Sequence, residues 1–263
     1  GQQTIQLTAS DGASNDFFGS AVAAHGGRVL IGAPGDEPPM SGFMINFGSA
    51  YFFDATMGQQ QAKIIAADGS AADSFGSSVG LWGDVGVVGA LGGDDAGVNS
   101  GSAYLFTASS AVQYAKLIAL DGASNDAFGQ AVAVRDDRVL VGAPGDNSSA
   151  GSAYLFDPVN GQQLHKLIPP DSTGADQCGG AVALGDGRAV LGAPFHDGEG
   201  IDSGAVYVFD APTGQFQVKL TADDADAGDL FGRSVAVAGG VAYVGAAFDG
   251  DAGSGAGAVY AFD

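Results

Sequence analysis

The sequence predicts an all-β chain of five repeated four-stranded antiparallel units, and three observations carry that reading. The first is recurrence. The residue before a fixed glycine is Phe18, Phe75, Phe128, Cys178 and Phe231, at steps of 57, 53, 50 and 53 residues. A second glycine mark returns at the same steps, Gly32, Gly89, Gly142, Gly192 and Gly245, in the wordings "GAP", "GAL" and "GAA". A third follows as "GSAY" at Gly48, Gly101 and Gly151 and as "GAVY" at Gly204 and Gly257. The second observation is composition: 45 of 263 residues are glycine and the apolar residues are mainly Val, Ala, Leu and Ile, which disfavours helix and suits short strands joined by tight turns. No window keeps an i, i+3, i+4 apolar stripe, so no helix of consequence is expected. The third is that the chain opens on the last strand type of the unit and stops on the third.

The third copy shows the elements in order. "QAVAV" (130–134), "RVLVGA" (138–143), "SAYLFD" (152–157) and "LHKLI" (164–168) are β-rich segments of ordinary strand length. The intervening "RDD", "PGDNSSAG" and "PVNGQQ" have turn composition. The fourth segment recurs as "TIQL" (4–7), "AKII" (62–65), "AKLI" (115–118), "HKLI" (165–168) and "QVKL" (217–220). Four antiparallel strands with short connections make a meander sheet. Such a sheet cannot bury both faces alone, so neighbouring units must stack face to face, and a closed ring removes the exposed ends. The expected fold is therefore a single-domain, five-bladed β-propeller over residues 1–263. Residues 1–7 are expected to supply the outer strand of the last blade and to close the ring.

These marks carry a resemblance. A Phe-Gly pair, a Gly-Ala-Pro about fourteen residues on and a following "GSAY" resemble the FG-GAP repeat of integrin α-chain propellers, and wording such as "KLTADDADAGDLFGRSVAV" is similar to the bacterial secreted and surface-exposed members. The resemblance spans all five units. It implies a propeller for adhesion or ligand binding, extracellular or at the cell surface, and often calcium-loaded, although integrin propellers have seven blades. The calcium loop that the family places between the first two strands of a blade is not carried over. Here those hairpins read "AAHGGRV", "LWGDVGV", "VRDDRV", "LGDGRA" and "AGGVAY", with too few carboxylates.

Charge narrows the partners. Asp and Glu number 30 against 9 Lys and Arg, a formal net charge of −21. A polyanion would be repelled, so nucleic acid is excluded as a partner. No apolar run approaches the roughly 18 residues of a membrane span, so no membrane insertion is expected. The acidic residues are patterned. Each copy carries Asp-x4-Asp before its Phe/Cys-Gly: Asp11 and Asp16, Asp68 and Asp73, Asp121 and Asp126, Asp171 and Asp176, Asp224 and Asp229. A further carboxylate follows each second glycine mark at Asp36, Asp94, Asp146, Asp197 and Asp249. Propeller topology brings both loop types to one face. Two readings stand: the Asp side chains accept hydrogen bonds from their own turns, or the pairs, with loop carbonyls, bind Ca²⁺, a hard cation that takes six to eight oxygens.

Other residues are weaker candidates. The recurrent Phe and Tyr positions read as blade packing. Cys178, in a Phe position, reads as a buried thiol, and Trp82 does not repeat. His25, His165 and His196 occupy unrelated repeat positions with no nucleophile motif beside them, so an enzyme is not expected. The loop "GDEPPMSGFMINFG" (35–48) is the longest insertion, 16 residues from Gly32 to Gly48 against 9–12 elsewhere. With Asp36, Glu37, Met40, Phe43 and Met44 it is expected to contact a ligand. The function expected is a non-catalytic binding propeller with an acidic loop face for a protein or glycan, with calcium as a structural ion. A lectin, or an accessory domain of a larger secreted enzyme, is the alternative.

Overall fold

A computed structural model describes residues 3–37, 47–253 and 255–263. It contains five antiparallel sheets. The first is β1 (Ala21–His25), β2 (Arg28–Ala33), β3 (Ser49–Asp54) and β4 (Gln60–Ile64). The second is β5 (Phe75–Trp82), β6 (Val85–Ala90), β7 (Ser102–Thr107) and β8 (Val112–Leu117). The third is β9 (Ala131–Arg135), β10 (Arg138–Ala143), β11 (Ser152–Phe156) and β12 (Gln163–Leu167), and the fourth is β13 (Ala181–Gly185), β14 (Arg188–Ala193), β15 (Ala205–Asp210) and β16 (Phe216–Leu220). The fifth has three strands: β17 (Phe231–Ala238), β18 (Val241–Ala246) and β19 (Ala258–Phe262). The single helical turn, Asp146–Ser149, has Asn147 and Ser148 at φ of 52° and 60°, so it is a left-handed loop rather than a helix.

The glycine marks are where blades touch. Gly48, Gly101, Gly151 and Gly204 bridge to Phe75, Phe128, Cys178 and Phe231 of the following blade. The N–H groups of those four residues donate to Phe47, Ser100, Ala150 and Ser203 at 3.0–3.1 Å. Close backbone crossing leaves no room for a Cβ: one built on Gly32, Gly89, Gly142 or Gly192 would overlap the carbonyl oxygen of Gly76, Gly129, Gly179 or Gly232 in the next blade. The core consequently lies between sheets. Leu30, Ala50 and Phe52 of the first blade meet Phe75, Val88, Tyr104 and Phe106 of the second, and equivalent layers join the second to the third, the third to the fourth and the fourth to the fifth. Cys178 fills its Phe position fully buried, and burial pushes its thiol far above the ordinary range.

The expected five blades are present; the expected closing strand is not. Residues 3–9 form no strand, and no bridge joins the fifth sheet to the first among the described residues. A Cβ on Gly19 would meet nothing within 4 Å, whereas one on Gly76, Gly129, Gly179 or Gly232 would meet the preceding blade. The N-terminal segment still lies where a preceding fourth strand would lie against the first blade. Leu7 and Ala9 pack on Ile31, Ala33, Tyr51 and Phe53. The N–H of Ser10 donates to Gln60 Oε1 at 2.9 Å, just as those of Ala67 and Leu120 donate to Gln113 and Gln163 in the next blades. The segment differs from the four fourth strands at one recurring position. Where the other copies place a lysine, twelve residues ahead of the Phe or Cys, this segment has Gln6, which is exposed. It keeps the apolar contact and lacks the ionic one that anchors a fourth strand.

Candidate functional site

The opening acidic turns are built alike. The second Asp of each pair, Asp16, Asp73, Asp126, Asp176 and Asp229, is buried and accepts the backbone N–H three residues earlier, from Ala13, Ser70, Ala123, Thr173 and Asp226, at 2.6–2.9 Å. That bond holds a turn in which the residue ahead of the Phe or Cys (Phe17, Ser74, Ala127, Gln177 or Leu230) stands at a φ of 52–56°, a left-handed conformation costly to side-chain-bearing residues. The turn then aims the Phe into the interblade core. Phe128, for instance, meets Tyr154 and Phe156 edge-on with centroids 5.5 and 5.8 Å apart.

The first Asp does something else. On the third and fourth strands of each complete blade a tyrosine and a lysine are cross-strand partners: Tyr51 with Lys63, Tyr104 with Lys116, Tyr154 with Lys166 and Tyr207 with Lys219. Each ammonium lies 5.2–5.8 Å from the centre of its tyrosine ring. Each also donates to the first Asp of its turn, Asp11, Asp68, Asp121 or Asp171, at 2.6–2.9 Å. A second acceptor comes from the loop after the second strand: Asp36 in the first blade, Asp95 and Asp146, each at 2.6 Å, in the second and third, and His196 Nε2 at 2.6 Å in the fourth. The tyrosine hydroxyl completes the cluster, donating to Asp11 and Asp121 at 3.1 Å and to Asp171 at 2.8 Å.

The two acidic loop types therefore do meet on one rim, with two substitutions. Asp94 stands outside the second cluster, accepting the N–H of Asn99 at 2.8 Å; Gly93 holds the position of Asp36 and Asp146, and Asp95, two residues on, supplies the carboxylate. Asp197 likewise accepts the N–H of Asp202, and His196 takes its place. His196 Nε2 accepts from Lys219 while Nδ1 donates to Asp176 at 2.8 Å, which fixes the neutral tautomer. Asp36, Asp146 and Asp249 are buried, and Glu37 is half-buried. Met40, Phe43 and Met44 lie outside the described residues. Trp82 sits away from the rim between His25, 4.2 Å between ring centres, and the Arg135 guanidinium at 4.6 Å.

The electrostatics follow from the geometry. Burial raises Asp11, Asp68, Asp121 and Asp171, but hydrogen bonds from lysine and tyrosine outweigh it and hold all four below the usual carboxylate range. Burial also lifts Tyr51, Tyr104 and Tyr154 to about 12. For Lys63, Lys116 and Lys166, burial acts downward, and the carboxylates win and raise them. Groups depressed in the folded state stabilise it above the unfolded carboxyl value near pH 4 and lose that contribution as pH falls through the folded value. Asp73 and Asp126, raised by burial, act in the opposite sense. With five depressed carboxyls, Asp54 included, against three raised, Asp251 included, the melting temperature is expected to fall as pH drops below about 4. A melting temperature that rises there, followed by circular dichroism, contradicts the clusters.

Removing one cation tests a single cluster. Lys166→Met leaves buried Asp146 and half-exposed Asp121 facing each other without a counter-charge and is expected to destabilise the protein by about 2 kcal/mol. Denaturant unfolding measures it. An unchanged midpoint would show the cluster to be a screened surface pair.

In these four blades each pair of acceptors is joined through a lysine. A lysine ammonium fills the place between them, and among the described residues no group of three or more His, Cys, Asp or Glu side chains converges as metal ligands would. Five stacked antiparallel sheets, joined by glycine crossings and carrying one repeated polar cluster, define a propeller-type repeat protein, the architecture of a binding domain. The FG-GAP repeat model matches the chain five times, over residues 2–53, 59–106, 111–156, 162–209 and 215–262. The chain belongs to the FG-GAP repeat family. No curated protein matches it. From the second match onward, each begins on a fourth-strand segment and ends on a third strand, so the sequence unit is offset from the blade by one strand.

Sequence reasoning missed the lysine. All four lysines of the chain are Lys63, Lys116, Lys166 and Lys219, each twelve residues before its Phe or Cys. That coincidence was the available signal.

Proposed function

We propose that this chain is a non-catalytic binding module, extracellular or at the cell surface, that presents its acidic rim to a protein or glycan ligand. The observation that supports the reading is the rim itself: five copies of one carboxylate-bearing cluster held in register on one face of a rigid stack, in a chain of net charge −21. Rigid placement lowers the ordering cost of binding, and the excess negative charge steers a cationic surface toward it. Beside the first cluster, a cleft of about 520 Å³ adds apolar area, lined by Phe47, Ile65 and Ala66 with Asp11, Glu37 and Lys63 at its edge. Family membership supports the localisation, and no helix among the described residues is long and apolar enough to cross a membrane.

The test is an array of glycans and of basic and neutral peptides probed with the purified chain. A ligand whose binding weakens in Glu37→Gln and with added salt supports the reading; no ligand in either set, or turnover of an array member, contradicts it. Calcium as a structural ion is tested at the fifth rim, where Asp224 and Asp249 meet Tyr260 and no lysine. Thermal melts in Ca²⁺ and in chelator decide that part: a stabilisation lost in Asp249→Asn places the ion there, and coincident melts remove it.

A further inference from the structure

The hairpins between first and second strands lie at the end of the sheets opposite the acidic rim, and one position there breaks the repeat. Seven residues after each recurrent Phe or Cys, the hairpin pairing closes on His25, Trp82, Arg135, Gly185 or Ala238. The fold therefore demands no particular side chain at this place. In the first three blades, whose first strands pack side by side, the large residues form a stack. The ring of Trp82 lies between that of His25, 4.2 Å away, and the Arg135 guanidinium, 4.6 Å away.

Arg135 is also the register partner of Arg138 across the hairpin, and like charges directly opposite each other on a sheet repel. Arg138 spends one terminal nitrogen on the carbonyl oxygen and the exposed carboxylate of Asp137, both at 2.7 Å. Arg135 donates to no acceptor among the described residues, and the Nε atoms of both arginines are buried without a partner. A buried donor left unpaired is costly, and here two of them flank a pair of like charges. The lysines of the opposite rim, by contrast, are each consumed by two acceptors. Between the third and fourth blades both arginines border a cleft of about 50 Å³, with Arg188 also on its wall. That is space on the scale of a few water molecules, enough for one oxyanion group and too little for a sugar ring. Asp136, Asp137 and Asp186 border it too, but all three are exposed, and Asp186 accepts the N–H of Gly240 at 2.7 Å.

We propose that this cleft binds a single oxyanion group, a carboxylate or a sulfate, free or carried by a sugar, at the guanidiniums of Arg135 and Arg138, with Trp82 as the surface on which Arg135 is set. An anion there cancels the cross-strand repulsion, and the planar forks offer the paired N–H donors that carboxylate and sulfate oxygens accept. The net charge of −21 acts at long range and is screened by salt, whereas these bonds act at contact. The site stands at the other end of the sheets from the acidic rim and does not depend on the reading given for that rim.

Trp82 is the only tryptophan of the chain, so its emission reports the site. The experiment titrates the 263-residue protein with sodium sulfate, with methyl glucuronide and with methyl glucoside, at an ionic strength held constant with sodium chloride. Sulfate and the glucuronide are each expected to change the emission saturably, and the glucoside and chloride are not. Either order of affinity supports the site, a tighter sulfate naming a free anion and a tighter glucuronide a sugar-borne carboxylate. Arg138→Gln removes one fork, leaves the stack on Trp82 and is expected to weaken both anions about tenfold or more. Arg233→Gln, which removes the same charge from an exposed position in the fifth blade, is expected to leave both unchanged. No saturable change with either anion, an equal change with the glucoside, or equal weakening by the two variants overturns the proposal. The titration of the unaltered protein needs no variant and stands if Arg138→Gln fails to fold.

Discussion

Gly142→Ala is expected to destabilise the protein by about 3 kcal/mol, and Gly245→Ala, at the same repeat position, by well under 1 kcal/mol. Gly142 has no left-handed φ, so alanine suits its backbone, and the whole penalty comes from the neighbouring blade. A Cβ there would overlap the carbonyl of Gly179, which is backbone and fixed by its own bond between the Gly179 N–H and Gly142 O at 3.0 Å. Among the described residues no neighbouring-blade backbone lies against Gly245, and the added methyl meets only the hydroxyl of Ser234, which rotates away. Denaturant midpoints for the pair measure the difference. Equal penalties would mean that a blade does pack against the fifth, and equal tolerance would mean that the backbones do not cross so closely.

Phe128→Ala is expected to cost about 4 kcal/mol, against about half of that for Phe18→Ala. Phe128 is 1% exposed and closes the layer between the second and third blades. Its removal leaves a cavity bounded by strands that cannot collapse, because the glycine crossings set their spacing. Phe18 makes the same edge-on contacts, with Tyr51 and Phe53 at 5.4 and 5.8 Å, but it is only half-buried because no preceding blade covers it. Unfolding of the two variants side by side checks the gradient, and equal losses would contradict an uncovered first blade.

The parts of this fold that were legible in the sequence are those where the backbone itself is the constraint. Gly32, Gly89, Gly142 and Gly192 recur because a Cβ is excluded, and Phe75, Phe128 and Phe231 recur because a shared space between sheets demands volume. Such requirements repeat with the blade and show as spaced letters. The rim was legible in part. Topology correctly gathers Asp11 with Asp36 and Asp121 with Asp146, but it does not show that the pair is joined through a lysine from a strand distant in sequence. Local spacing misplaced the acceptor in two blades. Gly93 holds the slot in the second blade, so Asp95 two residues on takes the role rather than Asp94, and a histidine, able to accept through Nε2, replaces a carboxylate at His196. The missing closure was illegible for a different reason. Residues 3–9 carry the apolar pattern of a fourth strand, and that pattern is satisfied by packing on the first blade without any ladder to the fifth.

The most direct measurement of the open edge is amide hydrogen exchange along the third strands, residue by residue by NMR. In β3, β7, β11 and β15 both sets of alternating amides are paired, one set to the second strand and the other to the fourth, and slow exchange is expected throughout. In β19 the expected result is alternation: amides facing β18 exchange slowly, and those facing outward exchange at rates near those of an open strand. Uniform protection from Ala258 to Phe262 in the isolated protein would mean that a strand already lies on that edge and would contradict the three-stranded fifth blade.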